Sequence, residues 1–553
     1  MQAEPGGERL LATVLLVPVA LLLALTLAAW PAWRIELPLW DLWPYAGPAF
    51  DAFDPAVILR SHNEHVPATS ALVLWLDRWL AAGTYVLAQG VELALLVFPA
   101  AWAASRAWRL APIGGERAAA AALWVITLAS VAALQTASHP FLLPHLLFTA
   151  LALAAAALWL PPERPPSWPA VLLASLLAMA AVLTQANGIS LPFALLLLEG
   201  LRRRRLPDPW RGAALLLPAL LLFAVFYVLR DAAPQLGRLQ PPDLLLFVDF
   251  LLRLAGAAAG LGLGSEAMAR LAGLLLAVLA LPPGLVLLLR PGRLLGDRLG
   301  AATAALYLVT LGGLVASAYA RADSFGSALH LKYGYYSLLL AGLLAYLNGR
   351  LLPARWRRLW LLAAVAALLL VNAALLWRAP HNLERPAQQL RAEAAGYVFL
   401  LDTPAFCRVA ECGPDHLAVL AHWRQHGLNV FAWPEAQRLG KPSTAGAVPP
   451  LPDCAGGIDA LTPLAASDGT LLWRVDGWIG SRLAPREALL FVAEDDPQRP
   501  VLGFGFAADL AHQDAQGLRQ PWRGYLAPGN SKAVAAVLPA GPCRLGLPAP
   551  PGD

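Results

Sequence analysis

The sequence predicts an all-α polytopic membrane domain of about eleven transmembrane helices, followed by a soluble α+β or β-sandwich-like C-terminal domain. Three observations carry this. Hydrophobic residues make up 58% of the 553 positions and charged residues only 14%, whereas soluble domains carry about 25% charged residues. The first 380 residues hold one apolar run after another. Runs near twenty residues match a hydrocarbon core ~30 Å thick crossed by a helix rising ~1.5 Å per residue. From about Pro380 the runs shorten and Arg, Glu, Gln, Asp and His become common.

In chain order, the expected membrane segments lie near Leu10–Trp30, Thr84–Ala104, Ala118–Ala137, Phe141–Leu160, Pro169–Ala186, Ile189–Leu201, Gly212–Leu229, Leu271–Leu289, Gly300–Ala320, Tyr333–Leu347 and Leu359–Trp377. Together they form a domain over 1–380. The first run is about as long as a spanning helix and is flanked by Glu4 and Glu8, which favours an uncleaved helix over a signal peptide. Alternate loops carry the basic residues: Arg106, Arg109 and Arg117; Arg164; Arg202 to Arg205 with Arg211; Arg290, Arg293 and Arg298; and Arg350, Arg355, Arg357 and Arg358. Cytoplasmic loops are enriched in Lys and Arg, so this alternation places the N-terminus in the cytoplasm and the tail outside. The net charge of +5 thus reflects topology, and no nucleic-acid partner is expected.

The first outer loop, 33–83, contains "WRIELPLWDLWPYAGPAFDAFDPAVILRSHNEHVPATSALVLWLDRWL". "DPAVILRS" opens like a helix, with Asp54 as N-cap and Pro55 in the first turn. "PATSALVLWLDRWL" places Leu72, Trp75, Leu76 and Trp79 on one face, which suits a helix lying at the interface. Between them, Arg60 to Ser70 is strongly polar. Ser61 with Glu64 fits a capping box. His62, His65 and Glu64 are competent ligands for a divalent metal. Arg60, His62, Asn63, Glu64 and His65 also suit a catalytic or substrate cleft. Asp41 lies among Trp40, Trp43 and Tyr45. A carboxylate in that company needs a cationic partner or a raised pKa, unless it caps a short helix.

Other polar residues fall near the expected outer face. Arg321 and Lys332 flank a loop rich in tyrosine (Tyr333, Tyr335, Tyr336). They suit a phosphate, or ordinary interfacial anchoring. His139 and His145 fit helix-end hydrogen bonding. Glu92, with Gln89 one turn earlier, should face the protein interior, because a charge inside the bilayer costs ~2.5–3.5 kcal/mol on insertion scales. Asn187 and Gly188 break a helix and mark either cleft backbone or a packing kink.

The tail divides into a small α/β segment at 381–440, a linker at 441–470 and a β-sandwich-like domain at 471–553. Pro414 to Gln425 reads as a helix and "LNVFAW" as a strand. "GKPSTAGAVPPLPD" has linker composition. "LLWRVDGWIG", "ALLFVAED" and "VLGFGF" read as strands. Trp473, Trp478 and Trp522 suit core packing or stacking on sugar rings. All four cysteines, Cys407, Cys412, Cys454 and Cys543, lie in the tail. Their confinement points to disulfides in an oxidising compartment, locally Cys407 with Cys412 and Cys454 with Cys543, against four unpaired thiols. The tail shows no nucleophile elbow, phosphate loop or zinc-ribbon spacing.

One helix, a long outer loop with an early acid, many further helices and an outer tail resemble the GT-C glycosyltransferases, the superfamily of dolichyl-phosphate-mannose-type transferases. More narrowly, the chain resembles a group of bacterial membrane proteins that carry an Asp-Glu-Trp-like loop start, an Asn-Glu-His-Arg stretch, an Asn-Gly in a middle helix and a Ser-Arg-Tyr before a late helix. The matching residues are Asp41 with Trp43, Asn63-Glu64-His65, Asn187-Gly188, and Lys332 with Tyr333; "VDGWIG" is similar to the start of the family's β-domain. Leu42, Val66 and Lys332 depart from the pattern, and Lys in place of Arg loses the bidentate fork.

The resemblance implies transfer of a sugar from a polyprenyl-phosphate donor to a lipid, glycan or protein acceptor at the periplasmic face of the bacterial inner membrane. It implies Asp41 as general base and Glu64 as its catalytic companion. His62, Asn63, His65, Arg60, Arg321, Lys332, Tyr333 and Asn187 would then bind substrate, with membrane lipids around them. No cofactor is required, since a lipid phosphate held by cations can leave without a metal; a divalent metal is the alternative. The competing functions are a lipid or glycan transporter or flippase, and a non-catalytic membrane scaffold.

Overall fold

The computed structural model describes residues 5–38, 40–60, 66–111, 114–160, 165–203, 208–229, 242–322, 327–399, 401, 407, 412, 416–443, 453–466, 469–480, 483, 487–508, 519–527, 531, 534–538 and 544–547. The chain falls into two compact units. One comprises Met1–Trp30, Pro55–Leu72 and Ala88–Ala379; the other comprises Pro31–Asp54, Val73–Leu87 and Pro380–Asp553.

The first unit is helical. Among the described residues, eight helices are long and apolar enough to cross a membrane: Ala12–Trp33, Val86–Leu110, Gly115–Thr136, Pro140–Trp159, Pro209–Tyr227, Glu266–Leu289, Arg298–Arg321 and the one that starts at Ala354. Each coincides with an expected segment. Three expected segments differ. Trp168–Val182 and Ser190–Arg203 form helices of 15 and 14 residues, short for a span. Leu331–Leu351 is 21 residues long but is not among the eight. It is buried along nearly its whole length and packs against the helices that contain Thr127, Leu134, Leu261 and Leu276. The sequence reading also lacks a segment found here: Leu244–Ala255 and Ala257–Leu263 form a pair bent by 68°. Close crossings fix this pair. A Cβ on Gly256 would lie 1.9 Å from the Ala269 carbonyl oxygen, and one on Gly273 would lie 1.9 Å from that of Leu252. Small residues at such crossings let helix backbones approach.

Ion pairs sort this unit's helix ends. Arg357–Glu116 (2.8 Å), Arg203–Glu199 (3.1 Å) and Arg350–Asp297 join the arginine-rich turns to acids. The opposite ends meet through hydrogen bonds, two of them involving charged groups, and through the Arg253–Glu266 ion pair (3.6 Å). Asn372 Oδ1 accepts from the Val131 amide at 2.7 Å, Arg378 donates to the Leu263 carbonyl at 3.2 Å, and Ser327 donates to Glu266 at 2.6 Å.

The second unit is built on one seven-stranded antiparallel sheet: β1 (Gly456–Ala465), β2 (Leu471–Ile479), β3 (Ala488–Ala493), β4 (Val501–Ala507), β5 (Gln520–Leu526), β6 (Val534–Val537) and β7 (Arg544–Gly546), in the order β1-β2-β5-β4-β3-β6-β7. This corrects the expected sandwich. The strand alternation is as read, but both faces belong to one sheet. Leu472, Leu490, Phe504, Phe506 and Tyr525 pack with Leu390, Tyr397, Leu420 and Trp423. On the other face Trp473, Val475, Phe491 and Trp522 pack among the sheet's own strands, so Trp473 and Trp522 are core residues.

Strand β1 falls inside the expected linker. "LNVFAW" is not a strand: Asn429–Ala432 is a 3-10 turn, and Asn429 sits at φ 50°, a left-handed conformation outside the extended region of a regular strand. The helix His416–His426 lies where expected. Cys407 and Cys412 are joined by a disulfide (Cα–Cα 4.9 Å), and Cys454 is disulfide-bonded too; Cys543 lies outside the described residues.

Candidate functional site

A polar cluster forms at one end of the first unit, opposite the arginine-rich turns. Two helix termini build it. Arg298–Arg321 ends on Arg321, and His330 is the N-cap of Leu331–Leu351. Arg321 Nη1 donates to the Tyr333 hydroxyl at 2.5 Å. The Lys332 ammonium lies 5.3 Å from the centre of the Tyr333 ring, within cation–π range. The His330 ring meets Tyr333 edge-on at 6.2 Å.

His139 comes from a distant part of the chain. It is buried and bonds Ser138 Oγ (2.8 Å) and the Gln135 carbonyl (3.3 Å) through Nδ1. Burial pushes its pKa down to about 4. Burial first, then the charges of Lys332, His139 and Arg321, push His330 down to about 3. The cluster therefore holds two fixed cations, two neutral imidazoles and a phenol.

Beside it lies a neutral network. Gln185 Nε2 is 2.7 Å from His145 Nδ1, and that nitrogen is 3.1 Å from the Tyr336 hydroxyl. Tyr336 stands one turn after Tyr333 on the same helix, so the network and the cation cluster share a face. Gln185 precedes the break Ala186–Ile189, a 3-10 turn between two helices. Gly188 is needed there, because a Cβ would lie 2.2 Å from the Ala181 carbonyl oxygen. Asn187 Oδ1 is buried and has no hydrogen-bond partner among the described residues.

The chain that resumes after the polar stretch is seated on this break. The Val66 amide donates to the Tyr227 hydroxyl at 2.9 Å, and that hydroxyl donates to the Val182 carbonyl at 3.0 Å. The Thr69 amide donates to the Leu183 carbonyl (3.2 Å), and its hydroxyl pairs with that of Thr184 (2.6 Å). Gln89 reaches the Ser138 carbonyl at 3.4 Å. One turn on, Glu92 is fully buried, and neither of its carboxylate oxygens has a hydrogen-bond partner among the described residues.

The structure brings Arg321, Lys332 and Tyr333 together and places Asn187 at the neighbouring break. Arg60 is exposed. His62, Asn63, Glu64 and His65 lie outside the described residues. Asp41 is in the 3-10 turn Trp40–Tyr45, and its side chain lies outside them too. Reading the sequence for function assigned His139 and His145 to helix ends and passed over His330 and Gln185. Only His330 had a local signal, three residues before Tyr333.

The second unit has charged clusters of its own. Asp51 pairs with Arg78 and with His422 Nε2 (2.7 Å). Arg78 and the Trp423 indole both donate to the Ala46 carbonyl at 2.8 Å. Cys407, Cys412 and His416 are the one group of three metal-capable side chains among the described residues, but the two sulfurs are bonded to each other, which removes both thiolates.

No family model, curated protein or solved structure matches the chain.

Proposed function

We propose that the chain is a multi-pass inner-membrane glycosyltransferase of GT-C type, with a cytoplasmic N-terminus and a periplasmic tail. It transfers a sugar from a polyprenyl-phosphate donor to an acceptor hydroxyl. The observation that carries this reading is the grouping of Arg321, Lys332, Tyr333, His330 and His139 at one end of the helical unit. A lipid phosphate needs cations beside apolar helices, and fixed donors aimed at a developing anion are the strongest electrostatic aid to a leaving group. Asp41 takes the proton from the acceptor hydroxyl as its oxygen bonds to the anomeric carbon. The bond from that carbon to the phosphate oxygen breaks, and the electron pair leaves with the lipid phosphate, held by Lys332 and Arg321. Glu64, His62, Asn63, His65 and Asn187 orient the sugar and acceptor.

The test is transfer from a labelled short-chain polyprenyl-phosphate sugar by purified protein in nanodiscs. A positioned base contributes ~10²–10⁴ in rate, so Asp41→Asn should bind donor normally and transfer at least a hundredfold more slowly. Transfer at the parental rate would remove Asp41 from the mechanism. One observation favours a second reading. The buried carboxyl of Glu92, without a hydrogen-bond partner among the described residues, is the kind of group that proton-coupled transporters place in their helices. Uptake of a lipid-linked sugar lost in Glu92→Gln, with no transfer by the parent, would select that reading.

A further inference from the structure

The second unit contains a cavity of ≈ 380 Å³ that the glycosyl-transfer reading does not use. Its walls come from the turn that ends at Phe399, the helix His416–His426 with the segment after it, and the edge of β2. Val398, Phe399, Phe431, Leu439 and Leu472 make it apolar, and Arg424 stands on its lining. Arg424 lies in the last turn of its helix, is exposed, and has no ion pair or hydrogen bond among the described residues. Among the described residues, every other lining group is apolar or uncharged. The volume lies at the lower end of the ~300–1,000 Å³ range of small-molecule sites, which are mostly apolar with a few placed polar groups.

We infer that this cavity binds a small single-chain anionic amphiphile, its alkyl chain against Phe399, Phe431, Leu439 and Leu472 and its carboxylate or phosphate on Arg424. Charge decides the head group: among the described residues the one ionised side chain on the lining is a cation, and a guanidinium pairs with carboxylate or phosphate through two parallel hydrogen bonds. Volume decides the tail: a cavity of this size takes one short chain and not the two chains of a phospholipid. The site stands independently of the glycosyltransferase reading, because none of its residues belongs to the cluster at Arg321.

The test uses the full chain in nanodiscs of neutral lipid. Alkyl phosphates and alkyl carboxylates of rising chain length are the probes, and empty nanodiscs correct for partitioning. Each added methylene should tighten binding about fourfold until the cavity is full, after which affinity should level off. Arg424→Gln should weaken the anionic probes about tenfold or more and leave the matching alkyl alcohols unchanged. Ala436→Phe, which fills the cavity from its half-buried wall, should abolish binding of both kinds with the melting temperature kept. Binding that rises with chain length without levelling, or that is unchanged in both variants, is bilayer partitioning and would overturn the proposal. A free carboxylate and a lipid-derived phosphate share the chemistry, and the two probe series rank them.

Discussion

Replacing Arg523 by Leu isolates what holds the tail's helix on its sheet. Arg523 lies on β5. Its Nε and Nη2 donate to the two oxygens of Asp476 on β2 (2.6 and 3.2 Å), and its Nη1 donates to Glu393 of the helix Arg385–Ala394. Glu393 is only 3% exposed. It also accepts from Tyr525 (3.0 Å) and Gln389 (2.9 Å). Burial, then the charge of Glu393, holds the Tyr525 phenol far above its ordinary pKa, so that hydroxyl remains a donor. In Arg523→Leu, Asp476 keeps Arg474 at 3.2 Å, but Glu393 keeps only neutral donors.

Removing one partner from a buried ion pair costs ~3–5 kcal/mol, because the other charge is left uncompensated. The surviving Arg474–Asp476 pair puts this case near the lower figure. A unit of roughly 150–250 residues shifts its melting temperature by ~2–4 °C per kcal/mol. The tail's transition, followed by tryptophan fluorescence of the full chain in nanodiscs, should therefore fall by ~6–12 °C. Glu393→Gln keeps its acceptor and should fall by less than half of that; adding Arg523→Leu to it should cost less than Arg523→Leu alone. A fall below about 2 °C, or strict additivity of the pair, would show that the charge left behind is not what destabilises.

Two further outcomes follow from the geometry. Asn429 at φ 50° donates to the carbonyls of Glu36 (3.0 Å) and Gly83 (2.6 Å), so Asn429→Ala should destabilise the tail unit by roughly 3 kcal/mol. Asn429→Gly, free of the ~1–2 kcal/mol left-handed penalty, should lose less; equal losses in denaturant titrations would contradict this. His139 titrates near 6.5 unfolded and about 4 folded, so between those pH values the unfolded chain binds the extra proton. The stability of the helical unit should therefore fall as pH drops from 6.5 to 4; the share of His139 is about 3 kcal/mol, His330, pushed down to about 3, adds to the fall, and His139→Gln should reduce that slope in thermal melts taken across the range.

The helices long and apolar enough to cross a membrane were legible because twenty apolar residues in a row need no partner to be recognised. Leu331–Leu351 was harder. Tyr333, Tyr335, Tyr336, Ser337 and Asn348 lower its hydropathy, and all of them are buried by neighbouring helices. The bent pair was hidden by Asp249 and Arg253. These look like loop charges in sequence, yet in the fold they pair at 3.0 Å and Asp249 also takes Arg270 at 2.6 Å. In the tail, β1 carries Gly, Asp, Thr and Pro and read as linker, while hydrogen bonds from Asn429 to Gly83 and Glu36, 346 and 393 positions away, overrode the strand pattern of "LNVFAW". At the candidate site, Arg321, Lys332 and Tyr333 were readable as neighbours in sequence. His139 joins them only through the packing of helices nearly two hundred residues apart, and nothing local announces it.

The most direct test of the proposed donor site is binding of a short-chain polyprenyl phosphate to the full chain in neutral nanodiscs, comparing the parent with Lys332→Ala and Arg321→Ala. Charge-assisted hydrogen bonds contribute ~1.5–3 kcal/mol, so each variant should bind about tenfold more weakly or worse, with a melting temperature within a few degrees of the parent. Affinity within twofold of the parent in both variants would contradict the assignment of the phosphate to this cluster.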